Sequence, residues 1–315
     1  MRRKITEAHL LLIITFAMYM GYQWLMQWIP LHDVMFHVIM GQVMLIFPGA
    51  LWMLIRYRKN RPQLSERMLF TPISNANIKM AVAVIISAYP VVVILNRFSM
   101  FFVKNQVMEV MPYMMRMGYF PMLFVMAVMP AFNEEFLCRG ILYGAYRQRA
   151  KTTGIWLSAL AFGLFHLNFN QMLYAVYLGI VLALMVEATG SIYTSMLMHF
   201  LLNGFNVTMN FMANQRLIAD AAVNQQQVTE SVSQTLSDVP IQQLVTMAVV
   251  LAIFIFLNGI LIYSTFRMNG RSLQNDGEKG RVIDGWIVIF VIITVILTYM
   301  NTDFLRFFYI LLFRK

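Results

Sequence analysis

Two adjacent glutamates, Glu134 and Glu135, an arginine four residues further on, Arg139, and two later histidines, His166 and His199, stand inside stretches that are otherwise almost wholly apolar. A charged side chain at the centre of a bilayer costs about 2.5 to 3.5 kcal/mol on insertion scales, so such groups are expected to face a cavity or one another. On a helix Glu135 and Arg139 fall on one face in the acid-before-base order that the helix dipole favours. Glu134 is turned away by about 100° and is left for another partner. Phe162 and His166 are also four apart, as are His199 and Asn203. This spacing sets an aromatic ring beside one imidazole, and beside the other an amide able to fix its tautomer. A carboxylate in a dry site can take a proton from water and an imidazole can shuttle it. Hydrogen bonds from His199 and Asn203 can then stabilise a developing oxyanion. The set meets the needs of amide hydrolysis with water held between Glu134 and His166, and requires no serine or cysteine nucleophile.

Each of these residues alone has a plainer reading as an interfacial group or a polar contact between helices. Five of them on three neighbouring segments, with two glutamates adjacent, favour a site. The remaining candidates are read plainly: His9, His32 and His37 as interfacial, Glu187 as a structural group beside a short turn, and Cys138, set in apolar sequence, as structural. The triplet Asn206-Val207-Thr208 falls within a predicted span and is read as chance. Zinc proteases of the His-Glu-x-x-His type are excluded, because no histidine is followed by glutamate.

The elements that must position this set are membrane helices. The 315 residues are 60% hydrophobic and 12% charged, with mean hydropathy +0.65, against about 25% charged residues in a soluble domain. Spans are expected at His9 to Trp28, Val34 to Ile55, Ile78 to Leu95, Tyr119 to Tyr143, Gly154 to Asn168, Met172 to Glu187, Ile192 to Met212, Ile241 to Phe266 and Trp286 to Met300. The fold class is therefore all-α, a polytopic bundle of eight or nine spans forming a single integral membrane domain over residues 1–315. The net charge of +10 sits in short clusters between the spans rather than on one amphipathic face, which argues for topology signals and against nucleic acid.

With the N-terminus cytoplasmic, seventeen of the 24 lysines and arginines fall on the inner side, as the positive-inside rule requires. The first span follows Met1-Arg2-Arg3-Lys4 but is too long for a signal peptide and lacks a small-residue cleavage site. The Gln-, Ser- and Asn-rich residues 213–240 read as an external polar loop, and Phe304 to Lys315 as an interfacial segment. If the fourth helix runs on to the basic cluster at Arg147, both glutamates reach mid-depth or somewhat to the cytoplasmic side. They can then share one layer with His166 and His199, and cleavage is expected near the inner leaflet.

Taken in order, Glu134-Glu135-x-x-x-Arg139, Phe162-x-x-x-His166 and His199-x-x-x-Asn203 resemble the pattern of the CPBP intramembrane proteases. That family includes CAAX-prenyl endopeptidases and bacterial proteins of bacteriocin processing. The resemblance covers residues 119–212. It implies a bacterial plasma-membrane endopeptidase acting on a membrane-associated, prenylated or leader-type peptide, with membrane lipid and a peptide or protein substrate as its partners. It further implies that Glu134 and His166 activate water, that Glu135 and Arg139 support them, and that His199 and Asn203 stabilise the transition state. The family's chemistry has been described both as metal-dependent and as glutamate-type. Glu134, His166 and His199 are the available zinc ligands, but two histidines without a thiolate favour the version with no cofactor. Two other readings stay open: a non-catalytic immunity or secretion-accessory protein using the same polar layer, and a proton-coupled transporter using Glu134 and Glu135 as a relay.

Overall fold

The computed structural model describes residues 2–26, 28, 34–57, 66–103, 111, 114–223, 240–274 and 282–301. Among the described residues, nine long helices answer the nine expected segments: α1 (Arg2–Met26), α2 (Val34–Tyr57), α3 (Asn75–Ser99), α4 (Tyr119–Tyr146), α5 (Lys151–Phe165), α6 (Phe169–Thr189), α7 (Ile192–Val223), α8 (Ile241–Met268) and α9 (Gly285–Asn301). Six of them, α1 to α4, α6 and α8, are long and apolar enough to cross a membrane, and no strand occurs among the described residues. The 15 residues of α5 rise only about 22 Å, short of a hydrocarbon core of about 30 Å. This helix survives because it is enclosed by its neighbours, and Ala159, Ala161, Phe162 and Leu164 are all buried. Residues 213–223, expected to begin a loop, instead continue α7, whose i to i−4 bonds satisfy their backbone more cheaply than a loop would. The rest of the expected loop (224–239), His32 and the C-terminal segment lie outside the described residues.

Two apolar cores flank the polar layer. In the first, Leu12 and Phe16 of α1 meet Ile141 and Leu142 of α4, Leu164 of α5 and Phe290 of α9. In the second, Val84 and Ala88 of α3 meet Leu178 and Leu182 of α6, Leu202 of α7 and Ile262 of α8. Between them α5 and α6 cross at a small-residue contact of the kind membrane helices use to bring backbones together. A Cβ on Gly179 would stand 2.8 Å from Ala159 Cα and 2.9 Å from its Cβ.

Connections that were expected on one side of the membrane do gather on one face. Arg67 Nη2 donates to the Lys4 carbonyl at 3.3 Å, Lys151 Nζ to the Ser272 carbonyl at 3.2 Å, and Ile192 N to the Leu69 carbonyl at 2.9 Å. Glu187, expected as a structural group beside a short turn, sits at the centre of this face. Its side chain is 1% exposed and pairs with Arg147 Nε at 2.9 Å and Lys151 Nζ at 3.2 Å, while Tyr143 Oη donates to it at 3.1 Å. Arg271 donates to its carbonyl and lies against Gly190, the left-handed cap of α6 at φ 72°, where a Cβ would strike the guanidinium.

His9 is likewise wholly buried rather than interfacial, bonded to Asp284 Oδ1 at 2.7 Å and to Tyr146 Oη at 2.6 Å. Asp284 also accepts from the backbone N–H of Trp286 at 3.0 Å and so caps α9. Burial pulls its carboxyl up, but His9, with hydrogen bonds from the Ile287 N–H and Thr6, outweighs this and holds it below its ordinary value.

Replacing Gly179 by leucine should force α5 and α6 apart and lower stability by about 1 to 3 kcal/mol, the range for overpacked cores. A fall in the thermal midpoint of the purified protein in detergent checks it, and an unchanged midpoint would show that the crossing is looser than described.

Candidate active site

The helix that carries the two glutamates is not uniform. Wider π-helical turns occupy Phe124–Val128 and Phe136–Tyr143 on either side of the α-helical stretch Met129–Glu135. Such turns inside α-helices are frequent at functional sites. Pro130, near the start of that stretch, has no N–H to return to the carbonyl four residues back. That carbonyl belongs to Met126, and Asn203 Nδ2 of α7 donates to it at 3.2 Å. The sequence expectation that Asn203 fixes the tautomer of His199 is therefore corrected, because the orphaned carbonyl claims the amide.

The tautomer of His199 is set by Glu135. Its Nδ1 lies 2.9 Å from Glu135 Oε1, and the same oxygen accepts from Arg139 Nη1 at 2.8 Å. Glu135, Arg139 and His199 are all buried, at 0%, 1% and 3% exposure. The expected i, i+4 pair is thus formed in a dry interior, where an ion pair holds only if its geometry is good and its remaining donors are met. Arg139 Nη2 donates to the Gly179 carbonyl at 3.1 Å, and its guanidinium carbon lies 4.4 Å from the Phe162 ring centroid. One arginine thereby joins α4, α5 and α6, while Glu135 adds α7. The Phe162 ring also meets His166 and His199 edge-on, with centroids at 5.1 Å and 5.8 Å, so its role is wider than that of a neighbour to one imidazole.

His166 follows the last residue of α5, and its Nδ1 stands 2.8 Å from the Phe162 carbonyl. A carbonyl can only accept, so Nδ1 carries a proton there and Nε2 keeps its lone pair when the ring is neutral. The next residue, Leu167, takes a left-handed conformation at φ 51°, a cost that a non-glycine residue bears when the surrounding structure imposes it. Glu134 faces away from the ion pair as its rotation predicts. Its Oε2 is buried without a hydrogen bond among the described residues, and His199 Nε2 is 3.8 Å from it.

Two cavities of about 420 Å³ and 480 Å³ meet at this point, and Glu134, Phe162, His166, Gln42 and Gln171 line both. Cys138 is a buried free thiol on the wall of the first. His37, expected at the interface, lines the first cavity too, and its Nδ1 is 3.4 Å from Tyr22 Oη. The structure thus brings Glu134, Glu135, Arg139, His166 and His199 to one site and seats Asn203 on the wall of the second cavity.

His166 follows the end of α5 that is remote from Lys151. The helix must run its whole length before it delivers the imidazole. Of the three ligands considered for zinc, His199 has its Nδ1 held by Glu135, which leaves Nε2 as that ring's remaining nitrogen, and no close cluster of three or more His, Cys, Asp or Glu side chains occurs among the described residues.

Sequence reasoning missed the amides that share the cavities, Gln42, Gln171, Asn206 and Asn210. The signal was present, since Asn203, Asn206 and Asn210 recur at spacings of three and four and so fall on one face of α7. Asn206, read as part of a chance triplet, accepts from Tyr89 Oη at 3.1 Å.

Residues 116–205 match the family model of the type II CAAX prenyl endopeptidases, Rce1-like. This is the CPBP type that the motif pattern resembles, and the match contains all six candidate residues. The matched segment is less than a third of the chain, and over it the chain is similar to CAAX-type endopeptidases. No curated protein and no solved structure matches the chain.

Replacing Arg139 by alanine should destabilise the fold by about 3 to 5 kcal/mol, because Glu135 is left charged and unpaired in a dry interior. Replacing Glu135 and Arg139 together by leucine and methionine should recover much of that loss. Thermal midpoints of the three proteins in detergent check this, and a double variant no more stable than Arg139→Ala would show that the lost pairing is not the cause.

Proposed function

We propose that the chain is an intramembrane endopeptidase that hydrolyses a peptide bond of a membrane-associated substrate, a prenylated or leader-type peptide, with water activated by Glu134 and His166. The observation that supports this reading most directly is that Glu134 and His166 line both cavities while Glu135 is withdrawn into the ion pair with Arg139. Two adjacent glutamates are thus given different environments and different work.

In the proposed reaction a water bound between Glu134 and His166 attacks the carbonyl carbon of the scissile bond as its proton passes to the Glu134 carboxylate. The new oxyanion forms toward His199. The Glu135 carboxylate at Nδ1 supports positive charge on that ring, so that Nε2–H can donate to the oxyanion. Asn203, with one amide hydrogen committed to Met126, has a second for the same purpose. His166, whose Nδ1–H is held by the Phe162 carbonyl, has Nε2 free to accept a proton and pass it to the departing amine. Collapse of the intermediate breaks the C–N bond as the proton held by Glu134 passes through His166 to the nitrogen, and the second water proton follows from the new carboxyl group, leaving a carboxylate and an ammonium with Glu134 and His166 restored. No step passes through a metal.

Orientation with the N-terminus cytoplasmic is part of the proposal and rests on the distribution of basic residues.

Wild type and Glu134→Gln should be purified in detergent and offered a pool of membrane-anchored peptides, with cleavage followed by mass spectrometry. The expected outcome is cleavage by the wild type and a loss of about 10²-fold or more in the variant, the usual contribution of general acid–base catalysis, at unchanged thermal midpoint. Equal cleavage by both would remove Glu134 from the mechanism. Chelation by EDTA or phenanthroline should leave the wild-type rate unchanged, and a loss restored by zinc would overturn the metal-free chemistry.

A further inference from the structure

The helices alternate in direction, and the ends that carry the basic clusters are tied to one another on one face. Those ends are the starts of α1, α5 and α9 and the close of α4, α6 and α8, joined through His9–Asp284, Lys151–Ser272 and Arg271–Glu187. The two cavities are lined from the other ends. Tyr19 and Gln23 belong to the last third of α1, His37 and Gln42 to the beginning of α2, and Tyr89 and Asn96 to the second half of α3. His166 closes α5, and Gln171 opens α6.

On α7 the polar positions run away from the basic face in the order His199, Asn203, Asn206, Asn210. From His199 to Asn210 is eleven residues, or about 16 Å along the helix axis. The site therefore continues into a polar trough that leads away from the cationic face. Its described lining sets amides and tyrosines, among them Gln171, Asn206, Asn210 and Tyr89, between apolar side chains such as Val92, Val125 and Leu202. Side-chain amides pair a donor with an acceptor, as a peptide unit does. Amides set among apolar side chains suit an extended peptide that carries apolar residues.

Resting on the endopeptidase reading, we infer that the substrate enters from the non-cytoplasmic face of the membrane, with its backbone laid along the Asn203–Asn206–Asn210 side of this trough. The basic clusters set the opposite face in the cytoplasm, so the bond cut lies toward the outer leaflet and the inner face is closed by the Glu187 cluster. This reverses the side of cleavage that depth in the sequence alone suggested.

Two measurements test it, one of them independent of catalysis. In full-length protein with Cys138→Ala, single cysteines are placed in the trough (Asn210→Cys) and on the basic face (Ser272→Cys), and intact cells are treated with a membrane-impermeant maleimide. Labelling of Asn210→Cys on intact cells, and of Ser272→Cys only after permeabilisation, is the expected result. The reverse pattern overturns the inference whether or not the chain is a protease. In the second, one scissile peptide is fused to either the outer or the inner end of a membrane anchor and co-expressed with the wild type. Cleavage of the outer fusion alone supports the inference. Cleavage of the inner fusion alone overturns it and leaves the endopeptidase reading standing, whereas outward labelling with neither fusion cut preserves the sidedness and counts against the protease. Among cleaved substrates, Asn210→Leu should raise KM roughly threefold to tenfold, the worth of one hydrogen bond, and an unaltered KM would remove Asn210 from the binding surface.

Discussion

A single buried carboxylate oxygen, Glu135 Oε1, receives both Arg139 and His199, and the arrangement of the bundle around it follows from the need to keep that cluster satisfied. Charge in a dry interior is costly unless it is paired and hydrogen-bonded, and both terminal nitrogens of Arg139 are met although its Nε has no hydrogen bond among the described residues. Arg139 therefore draws in the Gly179 carbonyl and the Phe162 face, which fixes α5 and α6 against α4. Close approach of α5 to α6 is in turn possible because position 179 has no side chain to separate them. Removal of any one partner leaves the others in a worse state than if the cluster had never been built. The core of the site thus doubles as a joint between α4, α5, α6 and α7.

A second constraint divides the work of the adjacent glutamates. Consecutive residues on a helix cannot face the same way, so when Glu135 turns into the ion pair Glu134 must turn toward the space between α1, α2 and α5. Pro130, four residues earlier, frees the Met126 carbonyl, and Asn203 meets it. A defect in the backbone of α4 thereby anchors α7 at the level of the glutamates. Stability resides chiefly in the residues turned inward and chemistry in those turned toward the cavities, although His199 belongs to both. Its Nδ1 serves the cluster, while Nε2 stands 3.8 Å from Glu134.

Much of this was legible in the sequence because membrane insertion makes each polar residue conspicuous. Glu134, Glu135, Arg139, His166 and His199 were found by their expense alone, and the pairing of Glu135 with Arg139 by helical spacing. The helices themselves were equally plain, since long apolar stretches have little else to form in lipid. What escaped was whatever depends on tertiary geometry. Asn203 has the same spacing from His199 whether or not a proline on another helix has freed a carbonyl for it. His9 looks interfacial until Asp284, 275 residues away, is brought beside it by α9. Glu187 looks like a turn residue until Arg147, Lys151 and Arg271 converge on it from three segments. The uncharged amides were overlooked for a different reason: an amide is cheaper to bury than a charge, so a scan for expense ranks it low.

The side from which the site is reached illustrates the same limit. Counting residues from the ends of spans placed His199 about 12 Å deep and suggested a site nearer the basic face. Depth, however, does not determine access. The basic face is sealed by Glu187 and the cations around it, with Lys151 bonded across to the connection after α8. The cavities are bounded by the opposite ends of α1, α2, α3 and α6, where amides line the walls. The same basic residues that set topology during insertion also close one end of the bundle after folding. The amide-lined end is then left to admit a peptide backbone.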